Sequence, residues 1–150
     1  MEPVLVFAMG KYAAELPTER RYCRNHMWCQ EQSAGVWRCG FSAYAIRLMR
    51  DVYFLDWCVD AGTGLAAKQA IGNIETSKAT SDLFAPFAGT LTTFNAAVLN
   101  DPAGINVEPY GSGWLFEIAG TAVGSMDAQA YHDFLAAGWE NTQRILKGQV

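Results

Sequence analysis

The side chains with chemistry to offer in this 150-residue chain are four cysteines (Cys23, Cys29, Cys39 and Cys58), two histidines (His26 and His132) and one lysine, Lys78, at the centre of the polar stretch Thr76-Ser77-Lys78-Ala79-Thr80-Ser81-Asp82. Cys23, His26, Cys29 and Cys39 follow one another at intervals where zinc ligands often occur. Geometry argues against that chemistry. If Tyr22 to Gln30 is one strand, Cys23 and Cys29 lie on one face and His26 on the other, with roughly 20 Å of extended chain between the thiols. The set would not converge, and the thiols read as buried or half-buried small apolar groups. His26 reads as a packed, hydrogen-bonded hairpin residue and His132 as a solvated residue of a closing helix. No Ser/His/Asp set, phosphate-cradling glycine loop or carboxylate dyad is visible, so the chain brings little catalytic chemistry of its own. A lysine in a polar turn is, taken alone, a solvated surface charge.

Composition sets the frame for these groups. Apolar residues make up 51% of the chain and charged residues 17%, which predicts one folded domain over residues 1–150. A net charge of −4 lacks the positive field that phosphate backbones and acidic membrane surfaces attract, so neither a nucleic acid nor a membrane is an expected partner. The first residues carry no basic segment followed by a long apolar run, and the expected compartment is cytoplasmic, where four reduced cysteines fit.

The elements that must position the candidates read as many short strands with peripheral helices. Residues 1–16 form a lead-in of unassigned structure. Arg21 to Gly40 suggests a hairpin around Gly35. Ser42 is a candidate cap for a helix through Met49. Strands are expected over Asp51–Val59 and Lys68–Glu75, with Thr76–Asp82 as a hairpin tip, and again over Thr90–Phe94 and Trp114–Ile118. Asn100 to Pro109 reads as a turn-rich connection. Residues 125–150 form a helical segment with Ser125 as candidate cap and an interruption at Gly138. The expected fold class is α+β, mainly β: a small β-sandwich or barrel-sandwich hybrid with short peripheral helices and a C-terminal helix.

The stretch Gly72-Asn73-Ile74-Glu75-Thr76-Ser77-Lys78-Ala79-Thr80-Ser81-Asp82-Leu83-Phe84-Ala85-Pro86, followed by Gly89, closely resembles the lipoyl-attachment hairpin of the glycine cleavage system H protein family. Further matches are His26-x-Trp28, Tyr44-Ala45, the run Asn106-x-x-Pro109-Tyr110-Gly111-x-Gly113-Trp114, and Asp127 to Tyr131, so the resemblance spans roughly residues 17–135. It implies a lipoyl-domain fold and a lipoic acid joined in amide linkage to Lys78. Such an arm extends on the order of 10–15 Å by bond counting. Acylation removes the ammonium charge, taking the chain from −4 to −5. The cofactor's dithiolane does the chemistry and the protein supplies position, which implies a carrier and not an enzyme. Glu75 matches an acidic position of the family that a lipoate-protein ligase or lipoyl transferase could read. Biotin carriers use a similar hairpin but flank the lysine with methionines, whereas Ser77 and Ala79 stand here.

Two departures bear on the cargo. Arg21-Tyr22-Cys23-Arg24-Asn25-His26-Met27-Trp28-Cys29 replaces the family's acidic His-Glu-Trp entry, and Asp56-Trp57-Cys58 stands where Glu-Leu-Pro is usual. These features look like the lipoate-binding proteins of bacterial sulfur oxidation. That resemblance implies an arm carrying sulfur or redox equivalents to a heterodisulfide-reductase-like complex; apart from it, the lesser reading of the cysteines is that one thiol sits near the arm and exchanges with it. The alternative is an H protein carrying methylamine among glycine cleavage enzymes, and a further one is an unmodified interaction module.

Overall fold

Every strand pairing in the computed structural model, which describes residues 2–148, is antiparallel, and the strands form three sheets. A hairpin of β1 (Val4–Met9) and β2 (Tyr12–Pro17) forms a two-stranded sheet of its own. A six-stranded sheet runs β3-β4-β5-β11-β10-β7, built from β3 (Arg21–Tyr22), β4 (Met27–Ser33), β5 (Val36–Phe41), β7 (Gly64–Leu65), β10 (Gly89–Phe94) and β11 (Phe116–Gly120). The third sheet, β6-β8-β9, consists of β6 (Val52–Trp57), β8 (Ala70–Thr76) and β9 (Thr80–Phe84). Helices α1 (Ala43–Met49), α2 (Ala96–Asn100), α3 (Ala103–Val107) and α4 (Ala128–Gly148) lie around them. This is the mainly β sandwich expected, with peripheral helices and a C-terminal helix.

The two-residue alternation of β4 and β5 explains the layering. Cys29, Cys39 and Phe41 belong to the core shared with Leu55, Ile71, Ile74 and Leu83 of the three-stranded sheet. Trp28, one residue out of phase, faces the opposite way into a second core with Phe7, Leu16, Tyr22, Tyr44 and Tyr131. The central sheet is thus covered on both faces. Full burial of each large side chain contributes about 1.5–3 kcal/mol. Gly40 is required beneath the Trp28 ring, because a Cβ there would sit 2.7 Å from the indole nitrogen.

Several expectations are corrected. The lead-in is an ordered hairpin: the two-residue turn Gly10-Lys11 has Gly10 at φ 65, and Phe7 and Met9 are buried against α4. Asn100 to Pro109 holds the last residue of α2 and all of α3, not only turns. Asn95 caps α2 through Ala97, Asp101 Oδ1 accepts from Ala103 N, and Val98 and Ile105 anchor both helices in the core. Ser125 does not cap the last helix. Asp127 does, its Oδ1 accepting from Ala130 N at 2.8 Å, while Ser125 Oγ accepts from Arg21 Nε. Gly138 does not interrupt α4, which runs unbroken to Gly148 because packing of Tyr131, Leu135 and Trp139 outweighs the roughly 1 kcal/mol penalty of one glycine. Residues 149–150 of the expected helical segment lie outside the described residues. Among the described residues, no helix is long and apolar enough to cross a membrane.

Candidate functional site

Strands β8 and β9 pair from Ala70–Phe84 to Glu75–Thr80, leaving Ser77, Lys78 and Ala79 as the tip. The tip is tighter than the sequence suggests, since Thr80 to Asp82 already belong to β9. Its shape is set by Thr76. The Oγ1 of this residue accepts from Lys78 N at 3.2 Å and Ala79 N at 3.3 Å, and its backbone N–H donates to Ala79 O at 2.9 Å. A second tie comes from the side: Ser77 N donates to Asp51 O at 2.9 Å. Lys78 itself is exposed, and so is Glu75 on the strand leading to it, beside Phe54 of β6.

Asn106 braces this arrangement from below. Its Oδ1 accepts from Val52 N at 2.9 Å and its Nδ2 donates to Arg50 O at 2.6 Å, fixing the start of β6 that in turn holds Ser77. The rest of the Asn106–Trp114 run is structural too. Pro109 O accepts from Trp28 Nε1, and Tyr110 joins Ala43 N to Glu15 O through its hydroxyl. Gly113 lies so close to the Gly104 and Glu108 carbonyls that no Cβ fits.

A cleft of about 430 Å³ opens at the foot of Lys78, a volume in the range of small-molecule sites. Met9, Leu48, Trp139 and Leu146 give it an apolar wall, and Arg47, Arg50, Lys78 and Lys147 give it charge. The sequence offers no signal for this cleft, which joins four distant segments. Arg50 closes α1 with φ 64 and ψ −141, a conformation that strongly favours glycine and costs about 1–3 kcal/mol for other residues.

Three of the four cysteines are buried as expected, but the expected separation of Cys23 and Cys29 is corrected. The chain turns at Cys23–His26, where His26 N donates to Cys23 O, and then returns as β4. Arg21 therefore pairs with Cys29, and Cys23 and Cys29 are buried as neighbours in one core instead of lying far apart. Cys39 sits directly across from Cys29. All three are buried, and the Cys29 thiol is pushed far up by the adjacent Cys23 and by desolvation; Cys39 is pushed up by burial. Cys58 is exposed. Among the described residues, no three His, Cys, Asp or Glu side chains are placed to hold a metal ion.

His26 is the packed residue expected, with its Nδ1 2.9 Å from the Tyr131 hydroxyl and its pKa lowered to about 4 by desolvation. His132 is not freely solvated: its ring packs edge-on against Phe7 at 5.4 Å, and Nδ1 is buried without a hydrogen-bond partner.

A β-sandwich that projects one lysine from a hairpin braced on three sides is the architecture of a swinging-arm carrier. A family profile described as Glycine cleavage H-protein matches residues 20–137. The chain is 34% identical to the glycine cleavage system H protein of Halorhodospira halophila, over 82% of this chain and 97% of the relative. It is 38% identical to that of Beutenbergia cavernae, over 77% and 93%. The crystal structure of an H protein from Mycobacterium marinum superposes with a TM-score of 0.72 at 31% identity, covering 81% of this chain and 99% of that one. The chain belongs to the glycine cleavage H-protein family, whose members are carriers and not enzymes and bear lipoate covalently on a lysine. The residues here fit such a group: the tip offers an exposed amine, and the adjoining cleft has apolar walls for an aliphatic chain.

Proposed function

We propose that residues 1–150 act as one lipoyl carrier that holds lipoate in amide linkage on Lys78 and passes a methylamine group among glycine cleavage enzymes. The observation that carries this reading is Lys78 at the apex of a rigid, exposed hairpin. The naming of the relatives, matched over nearly their full length, supports the cargo. When bound, the dithiolane supplies the covalent and redox chemistry. The chain supplies the rest: Thr76 and Ser77 hold the tip, and Glu75 offers a carboxylate to a lipoate-protein ligase or lipoyl transferase. The proposed compartment is the cytoplasm.

A second reading is sulfur or redox transfer to a heterodisulfide-reductase-like complex. It no longer draws support from Cys23, Cys29 and Cys39, which are buried. The cleft favours it instead, because with Lys78 acylated its lining still carries three cations and, among the described residues, no carboxylate, suited to anionic sulfur and not to an ammonium.

The test has two stages. Co-expression with a lipoate-protein ligase should add one lipoyl mass, and Lys78→Arg should abolish it; an adduct that persists in the variant overturns the attachment site. The lipoylated protein is then incubated with glycine and a glycine decarboxylase. Methylamine loading supports the first reading. Absence of loading, together with retention of sulfur from a thiosulfate-derived donor, supports the second.

A further inference from the structure

Four of the eleven lysines and arginines of this acidic chain converge on the cleft beside Lys78, and none of the fifteen Asp and Glu residues lines it. Arg47 and Arg50 come from the end of α1, Lys78 from the hairpin and Lys147 from the last turn of α4. The ion pairs among the described residues engage Arg20, Arg38 and Arg144, so these four cations are uncompensated there. Arg47 lies over the Tyr12 ring at 4.7 Å, a contact that orients the guanidinium and leaves its charge intact.

Other charges nearby do not cancel the cluster. Lys11 in the β1–β2 turn adds a cation, Glu140 is engaged by Arg144, and Asp51 and Glu75 are exposed and outside the lining. The carbonyl ends of α1 and α4 bring only partial negative charge, about half a unit each at most. Arg50 is the most telling member. It occupies a backbone conformation that glycine would adopt without strain, so a large cation stands where the fold alone favours no side chain.

We propose that this cleft is a seat for the anionic form of the arm on Lys78, taking the thiolate of the reduced dithiol or a negatively charged sulfur adduct and rejecting a cationic end group. The inference rests on lipoyl attachment at Lys78. Acylation removes the Lys78 charge and leaves Arg47, Arg50 and Lys147 facing the sulfur, while Leu48, Trp139 and Leu146 receive the aliphatic chain. A thiol entering this field releases its proton to solvent more readily, as thiols beside Lys and Arg do. A methylammonium on the same arm is repelled from this cleft by the three remaining cations.

The test uses full-length lipoylated protein, verified by intact mass and reduced with a phosphine. It is pulsed with iodoacetamide across a pH series, and alkylation of the arm is read on the Lys78 peptide by mass spectrometry. The midpoint should lie about half a pH unit or more below that of free dihydrolipoamide. Arg47→Gln with Arg50→Gly should return it towards the free value; Arg50→Gly relieves the positive-φ strain, so the pair is not expected to unfold the chain, and circular dichroism checks this. A wild-type midpoint equal to that of free dihydrolipoamide, or a shift that survives both substitutions in a folded protein, overturns the proposal while attachment stands. Absence of any lipoyl adduct overturns attachment and this inference together.

Discussion

Ser77 and Asp51 are joined twice: Ser77 N donates to Asp51 O at 2.9 Å, and Asp51 N donates to Ser77 Oγ at 3.3 Å. The bonds fasten the residue before Lys78 to the chain just ahead of β6, which Asn106 holds in turn. An exposed tip that would otherwise fray is tied into the sandwich one residue from the amine it presents.

Thr76 should be the more sensitive half of the tip. Thr76→Val keeps the shape and removes an acceptor for the Lys78 and Ala79 amides. We expect a loss of about 0.5–1.5 kcal/mol in urea unfolding and a slower rate of lipoylation by a lipoate-protein ligase. An unchanged rate would show that the ligase reads the hairpin without needing this turn.

Tyr131 ties the last helix to the sheet through contacts at 2.9 Å with His26 Nδ1 and Ser42 Oγ. Tyr131→Phe should cost about 1–3 kcal/mol, because it leaves a buried imidazole nitrogen without its partner. Denaturant midpoints with unchanged slope would check this.

His26 gives folding a pH dependence. Its native pKa of about 4 lies below the ordinary 6.5, so between those values the unfolded chain binds more protons than the folded one. The folded state is unaffected above pH 6.5 and loses up to about 3 kcal/mol as pH falls to 4. His26→Asn, which tolerates the φ of 68 at this position, should lower stability at pH 7 and flatten the slope below 6.5.

Thiol counting tests the cysteine arrangement. With Cys23, Cys29 and Cys39 buried and Cys58 exposed, an aromatic disulfide reagent should titrate one thiol per native chain and four after denaturation. Rapid labelling of more than one native thiol would contradict the packing of β4 against β5.

Gly138 is exposed to improvement. A Cβ at this position in α4 meets nothing within 4 Å. Gly138→Ala should therefore stabilise by about 0.5–1 kcal/mol, read as a higher melting temperature with lipoylation unchanged.

Local chemistry carried much of this in the sequence itself. Ser42 followed by helical spacing gave α1, and Ser42 Oγ does accept from Ala45 N. The polar interruption between Ile74 and Leu83 located the hairpin and put Lys78 at its tip. Each is settled within a few residues by a hydrogen bond or an alternation, so it is written in adjacent letters. The meeting of Cys23 and Cys29 is not. It depends on a turn at Cys23–His26 stabilised by pairing of β3 with β4 and by Tyr22 bridging to Met126, more than a hundred residues away. Helix α3 likewise forms where proline and glycine suggest turns, because Ile105 reaches the core. The basic cleft is the furthest from sequence: Gly10, Arg50, Lys78 and Lys147 share it only because the N-terminal hairpin, α1 and α4 pack together beside the β8–β9 tip. Charges that repel are kept in company by apolar burial elsewhere, and that balance exists only in the folded chain.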